Sequence, residues 1–322
     1  MVKLGIIVPC YNEEEALPET VKQLESLICE LTDRGKITGD SFVLYVDDGS
    51  KDGTWEVITG SNKGYKHVQG LKLAGNVGHQ NALLAGLMTV KEEVDAAISI
   101  DADLQDDISV IEEMLEKYEN GNDIVYGVRA ERKSDTFFKR FSAQSFYKLM
   151  NMMGAKSIYN HADYRLMSQR AIKGLSQFKE RNLFLRGIVP TIGYNSDCVY
   201  YARKERMAGE SKYPLKKMIS FALDGITSFS IKPMNFIMGA GIFMILIAIV
   251  AAIYAFHSYI TGDVVRGWTT IIWSLWFIGG SIMFSLGLVG QYIGKIYIEV
   301  KERPRYIIEE RLFCSDDVRD PD

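Results

Sequence analysis

The chain is poor in the residues that build cross-linked or metal-stapled frameworks, with four cysteines, four histidines and seven prolines among 322 residues. Cys10, Cys29, Cys198 and Cys314 share no zinc-knuckle or redox spacing, which fits a reduced compartment. It also lacks a basic excess: the net charge of −4 and the absence of a nucleic-acid motif leave no nucleic-acid partner expected. Internal repeats and low-complexity linkers are missing, so solenoids and strings of tethered modules are excluded. The first residues read as a strand, without the cationic segment and cleavage site of a signal peptide, and none is expected.

Charge itself is missing from two stretches, residues 234–256 and 267–294. Each exceeds the roughly 20 residues needed to cross a bilayer, and soluble core helices rarely run so far without a charge. The second carries Trp268, Trp273, Trp276 and Tyr292 towards its ends, as interface anchors would. Two transmembrane helices are therefore expected. Lys212, Lys216, Lys217 and Lys232 precede the first, and Lys295, Lys301, Arg303 and Arg305 follow the second. The positive-inside rule then puts both termini in the cytoplasm, making a multi-pass protein of the cell membrane with a short external loop near residues 257–266. Glycines 239, 241, 279, 280, 287 and 290 would let spans pack closely, so a homo-oligomer is expected.

What the chain does have is carboxylate at the ends of apolar strands. Residues 96–100 read as a buried strand that stops in Asp101, Asp103, Asp106 and Asp107. Asp101 and Asp103 are two apart and share one side of an extended strand end. Such a pair of hard oxygen ligands suits Mg²⁺ or Mn²⁺. The plainer alternative is an acidic loop capping the next helix through Asp106 and Asp107. The same pattern recurs along the chain. A strand at residues 4–8 stops at Pro9 and leads into Cys10-Tyr11-Asn12-Glu13-Glu14-Glu15, with Asn12 as the expected cap of a helix over residues 16–31. A second strand, residues 41–46, ends in Asp47-Asp48-Gly49-Ser50, and a third, residues 68–73, leads into Asn76-Val77-Gly78-His79-Gln80 and a helix. Alternating strands and helices with polar clusters at each strand end predict a doubly wound α/β sheet with one ligand cleft.

Beyond residue 107 a helix, a strand over residues 123–128 and Arg129 follow. Residues 133–151 interleave aromatic and basic side chains, as either a helix with one face on the core or a stretch at the membrane surface. His161-Ala162-Asp163-Tyr164-Arg165-Leu166 precedes a helix near residues 168–178. The organisation expected is a catalytic domain over residues 1–213, an amphipathic juxtamembrane helix over 214–232, two spans within 233–297 and a cytoplasmic tail over 298–322, mobile from residue 309 onward.

Val8-Pro9-x-Tyr11-Asn12-Glu13, Asp47-Asp48-Gly49-Ser50-x-Asp52-Gly53-Thr54, Asn76-x-Gly78-His79-Gln80 and Asp101-Ala102-Asp103-Leu104-Gln105-Asp106 resemble glycosyltransferase family 2. Asp163-Tyr164-Arg165 and Arg206-x-x-Gly209-Glu210-Ser211-Lys212-Tyr213 narrow the resemblance to polyprenyl-phosphate glycosyltransferases, the bactoprenol glucosyltransferases and dolichyl-phosphate mannose synthase among them. The resemblance covers the chain to about residue 213, and the two-span tail is similar to the bactoprenol branch. It implies a GT-A fold, with a mixed Rossmann-like sheet, and inverting transfer of a hexose, glucose foremost, from a UDP-sugar to undecaprenyl phosphate. Carried onto this sequence, Pro9, Tyr11, Glu13, Val46 and Asp48 would hold base and ribose, and Gln80 would border the donor. Asp101, Ala102 and Asp103 would meet ribose and diphosphate, with Asp101, Asp103 and Gln105 around the metal and Arg129, Arg206 and Lys212 on phosphate charge. Bactoprenol enzymes usually carry an aromatic residue where Val77 stands.

Sugar transfer needs the leaving diphosphate neutralised, which metal, Arg206 and Lys212 would do. A headgroup role for the two basic residues, worth about 1 kcal/mol each, is the alternative. In the family an aspartate at the place of Asp163 is a candidate base. A phosphate monoester with its second pKa at about 6 is already mostly dianionic at neutral pH, however, so Asp163 is expected chiefly to orient the acceptor. A processive polysaccharide synthase would carry Gln-x-x-Arg-Trp, which is missing here, and a silent membrane scaffold would show eroded motifs. Donors bearing N-acetylglucosamine, galactose or mannose stay open.

Overall fold

The structure, a computed structural model, describes residues 1–129, 161–180, 185–202, scattered positions between 234 and 253, and 268–314. Two compact units emerge: Met1–Tyr147, Lys156–Pro214 and Arg303–Asp322 form one, Lys148–Ala155 and Leu215–Glu302 the other.

The first unit is built on an eight-stranded mixed sheet. Strands β1 (Leu4–Cys10), β2 (Phe42–Asp47) and β3 (Val68–Leu73) are parallel, and β4 (Ala96–Ser99) returns to pair parallel with β1 on its other side. β1, β2 and β4 are buried from end to end, which is why they read as unbroken apolar runs rather than alternating ones. Antiparallel β6 (His161–Ser168) lies between β4 and β5 (Ile124–Arg129), and β7 (Ser196–Tyr201) runs parallel to β5. With β8 (Ile308–Leu312) at the far edge, the order is β7-β5-β6-β4-β1-β2-β3-β8. The order reverses between β1 and β4, and in open α/β sheets the crevice at such a point takes the ligand.

Helix α1 (Leu17–Asp33) buries Leu17, Val21, Leu24, Ile28 and Leu31 at helical spacing. Its cap is Ala16, not the expected Asn12. Asn12 sits at φ 55° and is stitched instead to the loop after β2, donating its N–H to Ser50 and accepting from the Lys51 N–H. Helix α2 (Thr54–Gly64) follows β2, and α3 (His79–Val90) follows β3. A Cβ at Gly86 of α3 would overlap the side chains of Ile7 and Val46, so glycine is what lets this helix lie against β1 and β2. A short 3-10 turn (Ile108–Val110) and α4 (Ile111–Glu119) come after β4, and α5 (Gln169–Leu175) and the short α6 (Leu185–Ile188) after β6.

The C-terminal expectation is corrected at residues 308–312. β8 (Ile308–Leu312) pairs antiparallel with β3 and closes that edge of the sheet, so this part of the tail belongs to the first unit. Arg311 grips Glu93 through both guanidinium ends at 2.9 and 2.7 Å, Lys72 meets Glu309, and the Asn62 amide donates to the Phe313 carbonyl.

In the second unit, helix α7 (Trp268–Val300) is 33 residues long. Among the described residues it is the one helix long and apolar enough to cross a membrane, through Phe277–Val300, none of which is buried. The first expected span, the stretch at 133–151, the juxtamembrane helix and Arg206 and Lys212 lie wholly or largely outside the described residues.

Candidate functional site

Four parallel strands deliver their carboxyl ends to one edge of the sheet. After β2, the buried Asp48 accepts hydrogen bonds from the backbone N–H groups of Val77 at 2.7 Å and Gly78 at 2.9 Å. Burial pushes its pKa up, and the two amides act against that push. Asp48 therefore holds the loop that follows β3. Gly49 makes the approach possible: at φ +65°, any Cβ there would stand 2.7 Å from the backbone of Gly75 and Asn76. Because Val77 is held through its N–H, its side chain plays no part in that bond.

Around this loop the other candidates divide by exposure. Pro9 and Val46 are buried in β1 and β2, Tyr11 is exposed, and Glu13 is partly buried, its N–H on the Thr54 hydroxyl at 2.9 Å. At the head of α3, the Gln80 side-chain oxygen accepts the N–H of Leu185 at 2.9 Å, which ties α6 to the loop. His79 Nε2 stands 3.5 Å from Asp101 and 3.9 Å from Asp163, between the two carboxylates.

After β4, Asp101 and Asp103 are half-buried, Ala102 is buried with its carbonyl accepting from Thr20, and Leu104 takes a left-handed φ of 50°. A non-glycine residue held at positive φ is a strained turn of the kind that clusters at ligand sites. Burial raises the Asp101 pKa, opposed by His79 and reinforced by Asp106, Asp163 and Asp103. The buried Gln105 side-chain oxygen has no hydrogen-bond partner among the described residues. Two part-open carboxylates and an unpartnered amide oxygen form a hard donor set that fits Mg²⁺ or Mn²⁺.

Capping and structure account for the remaining acids. Asp107 caps the 3-10 turn by accepting the Ser109 N–H. Asp106 does not cap; it is buried, accepting from Tyr201 OH at 2.6 Å and from the Arg129 fork at 3.0 and 3.2 Å. Burial weakens the Arg129 charge, but Asp106 more than restores it and holds its pKa above the usual value.

On β6, Asp163 is 8% exposed and receives two guanidiniums. Arg165 Nη2 lies 2.7 Å from Oδ1, Arg186 Nη2 lies 3.0 Å from Oδ2, and Arg186 Nε stands 3.3 Å from Oδ1. Ser99 fixes the strand by donating its hydroxyl to the Asp163 carbonyl. Burial alone would raise the Asp163 pKa, but Arg186 and Arg165 overcome it and hold the carboxyl well below the carboxylate range. Arg186 is absent from the sequence-based candidates. A lone arginine between Leu185 and Gly187 has no motif spacing, and its one signal is a cation set among apolar residues.

The model of "Glycosyl transferase family 2" matches residues 5–175. An uncharacterized glycosyltransferase, YkoT, of Bacillus subtilis (strain 168) is 54% identical over 96% of this chain and 92% of that protein. A bactoprenol glucosyl transferase of Shigella phage SfX is 38% identical over 96% of this chain and 100% of that protein. A solved glucosyl-3-phosphoglycerate synthase of Mycobacterium tuberculosis, in complex with Mn²⁺, uridine diphosphate and phosphoglyceric acid, is 16% identical, covering 70% of this chain and 76% of that one at a TM-score of 0.44.

Proposed function

The chain belongs to glycosyl transferase family 2, and we propose that it is a polyprenyl-phosphate hexosyltransferase, moving a hexose with inversion from a UDP-sugar to undecaprenyl phosphate. Glucose is the first choice of sugar, by likeness to the bactoprenol glucosyl transferases. The observation that carries the reading is the line Asp101, His79, Asp163: a metal-type carboxylate and an arginine-clamped carboxylate stand either side of one imidazole at the switch point of the sheet.

The residues divide the work. Pro9, Tyr11, Glu13, Val46 and Asp48 frame the base and ribose in a GT-A-type cleft, Asp48 by holding the loop at Val77 and Gly78. Gln80 borders the donor and seats α6. Asp101 and Asp103, with Gln105, would hold Mg²⁺ or Mn²⁺ near Ala102, and the ion would supply positive charge to the leaving diphosphate. Arg129, Arg206 and Lys212 are assigned to phosphate charge, Arg129 from its seat on Asp106. α7, together with a second span within residues 233–256, would anchor a homo-oligomer in the cell membrane with both termini cytoplasmic.

The test is purified full-length chain with undecaprenyl phosphate, Mg²⁺ or Mn²⁺ and a panel of radiolabelled nucleotide sugars. Label entering the lipid phase from one donor, and stopping with Asp103→Asn, is the expected result. No transfer from any donor, with nucleotide binding intact, would overturn it.

A further inference from the structure

A second group of metal-type side chains lies at the opposite end of the sheet from the cleft. Glu25 and Cys29 are four residues apart on α1, so both leave the same face of that helix. His67 comes from the turn just before β3, and its carbonyl accepts the Val43 N–H at 2.7 Å, which pins the turn to β2. One ligand atom from each residue (carboxylate oxygen, thiol sulphur, ring nitrogen) lies within 4.8 Å of the other two. No linear spacing announces the set, because the third member belongs to a different element.

A plain ion pair does not account for this arrangement. His67 Nδ1 stands 2.9 Å from Glu25 Oε1, with the two side chains 10% and 12% exposed. That satisfies one carboxylate oxygen. Glu25 Oε2 is enclosed and has no hydrogen-bond partner among the described residues. The Tyr45 hydroxyl, wholly buried in β2, has none either, and the Glu25 charge acts on its ionisation after burial and Cys10. An enclosed carboxylate oxygen left unpaired is costly, and a bound cation removes the cost. Partial burial, then the charges of Glu25 and Asp33, hold the Cys29 pKa up against Lys66, a field that draws a cation towards the sulphur. Cys29 is itself exposed, which gives an ion its entry path.

We propose that Glu25, Cys29 and His67 form a Zn²⁺ site, separate from the hard oxygen set at Asp101, Asp103 and Gln105. One carboxylate, one thiolate and one imidazole make three ligands of a tetrahedral zinc site, with water as the fourth. Bonds of about 2.0–2.3 Å at tetrahedral angles put ligand atoms roughly 3.3–3.8 Å apart, so a side-chain adjustment of about 1 Å closes the set. Thiolate is a soft ligand that suits Zn²⁺ and not Mg²⁺, so the two sites sort their ions by chemistry. As the ion enters, the Cys29 S–H bond breaks, its proton goes to water and the sulphur electron pair forms the bond to zinc; nothing is oxidised or reduced. The bound ion ties α1 to the start of β3. Neither sugar donor nor acceptor enters this site, so it acts on stability and not on transfer.

The experiment titrates the metal-stripped full-length chain with Co²⁺, the optical stand-in for Zn²⁺, in the wild type, Cys29→Ser, His67→Gln, Asp103→Asn and Cys198→Ser. One equivalent should give a thiolate-to-cobalt charge-transfer band that added Zn²⁺ bleaches. The band should survive in Asp103→Asn and Cys198→Ser and vanish in Cys29→Ser. Because Cys29 is exposed, that variant should fold and melt as the metal-free wild type does. Loss of His67 should weaken Zn²⁺ binding by at least the roughly 100-fold that losing a supporting residue costs. Zn²⁺ should raise the melting temperature of the wild type and not that of Cys29→Ser, with transfer activity the same in both. No band in the wild type, a band that persists in Cys29→Ser, or equal stabilisation of both chains by Zn²⁺ would overturn the assignment. A band lost in Asp103→Asn instead would place the ion in the cleft and overturn it too.

Discussion

Arg165 brings its guanidinium to 2.7 Å from Asp163 while being almost wholly enclosed by the sheet. A carboxylate bound so tightly is a poor proton acceptor, and this gives the first prediction. The folded-state pKa of Asp163 is depressed, so its contribution to stability is complete above the ordinary carboxylate range and fades only as pH falls through the lower folded value. Asp163→Asn leaves Arg165 buried without its counter-charge, which should cost about 3–5 kcal/mol in denaturant unfolding at neutral pH. Its loss of turnover should be the same factor at pH about 6 and at pH about 8, because a carboxylate that orients the acceptor without taking a proton serves the monoanion and the dianion alike. Normal turnover at the higher pH with loss only at the lower would restore Asp163 as a base for the monoanion.

A second prediction separates a backbone contact from a side-chain one. Asp48 anchors the loop after β3 through two amides, so Asp48→Ala should free that loop and weaken UDP binding, the anchoring bonds being worth roughly 1.5–3 kcal/mol each. Val77→Phe should change neither unfolding nor UDP affinity appreciably, since its N–H remains. Isothermal titration with UDP on both variants checks the pair, and a large loss in Val77→Phe would show that the side chain faces the nucleotide.

The parallel half of the sheet was legible because strands buried on both faces are apolar throughout and their ends carry the polar clusters. β6 was harder: His161–Ser168 alternates polar and apolar residues, and its place between β4 and β5 depends on long-range pairing that no local pattern encodes. β8 was misread as a mobile tail. Ile-Glu-Glu-Arg-Leu is a half-exposed edge strand with charged residues at its centre, the composition that edge strands use against aggregation and that free tails share. At the site, Asp101, Asp103 and Asp48 stood out by crowding, whereas Arg186 acquires meaning only once α6 is folded against β6.

A third prediction concerns the metal. Chelation with EDTA should abolish transfer, and added Mg²⁺ or Mn²⁺ should restore it. Asp103→Asn should lower turnover by about 100-fold or more with little effect on unfolding, because Asp103 stands half open to the cleft rather than in the core. Activity that survives complete chelation would remove the metal from the reading and leave charge stabilisation to side chains.

The C-terminal strand supplies the last test. The Ile307 carbonyl accepts the Ala74 N–H two residues before Asn76, so the segment following α7 braces the loop that Asp48 holds from the other side. Removing residues 308–322 should expose the β3 edge, lower the melting temperature and raise the KM for the UDP-sugar. Arg311→Ala removes the ion pair with Glu93, whose two side chains are 19% and 37% exposed, together with the contacts to Gln69 and the Phe313 ring, and should cost no more than about 2 kcal/mol. If Arg311→Ala alone matched the truncation, the brace would be electrostatic. If the truncation kept the wild-type donor KM while losing stability, β8 would protect an edge without acting on the site.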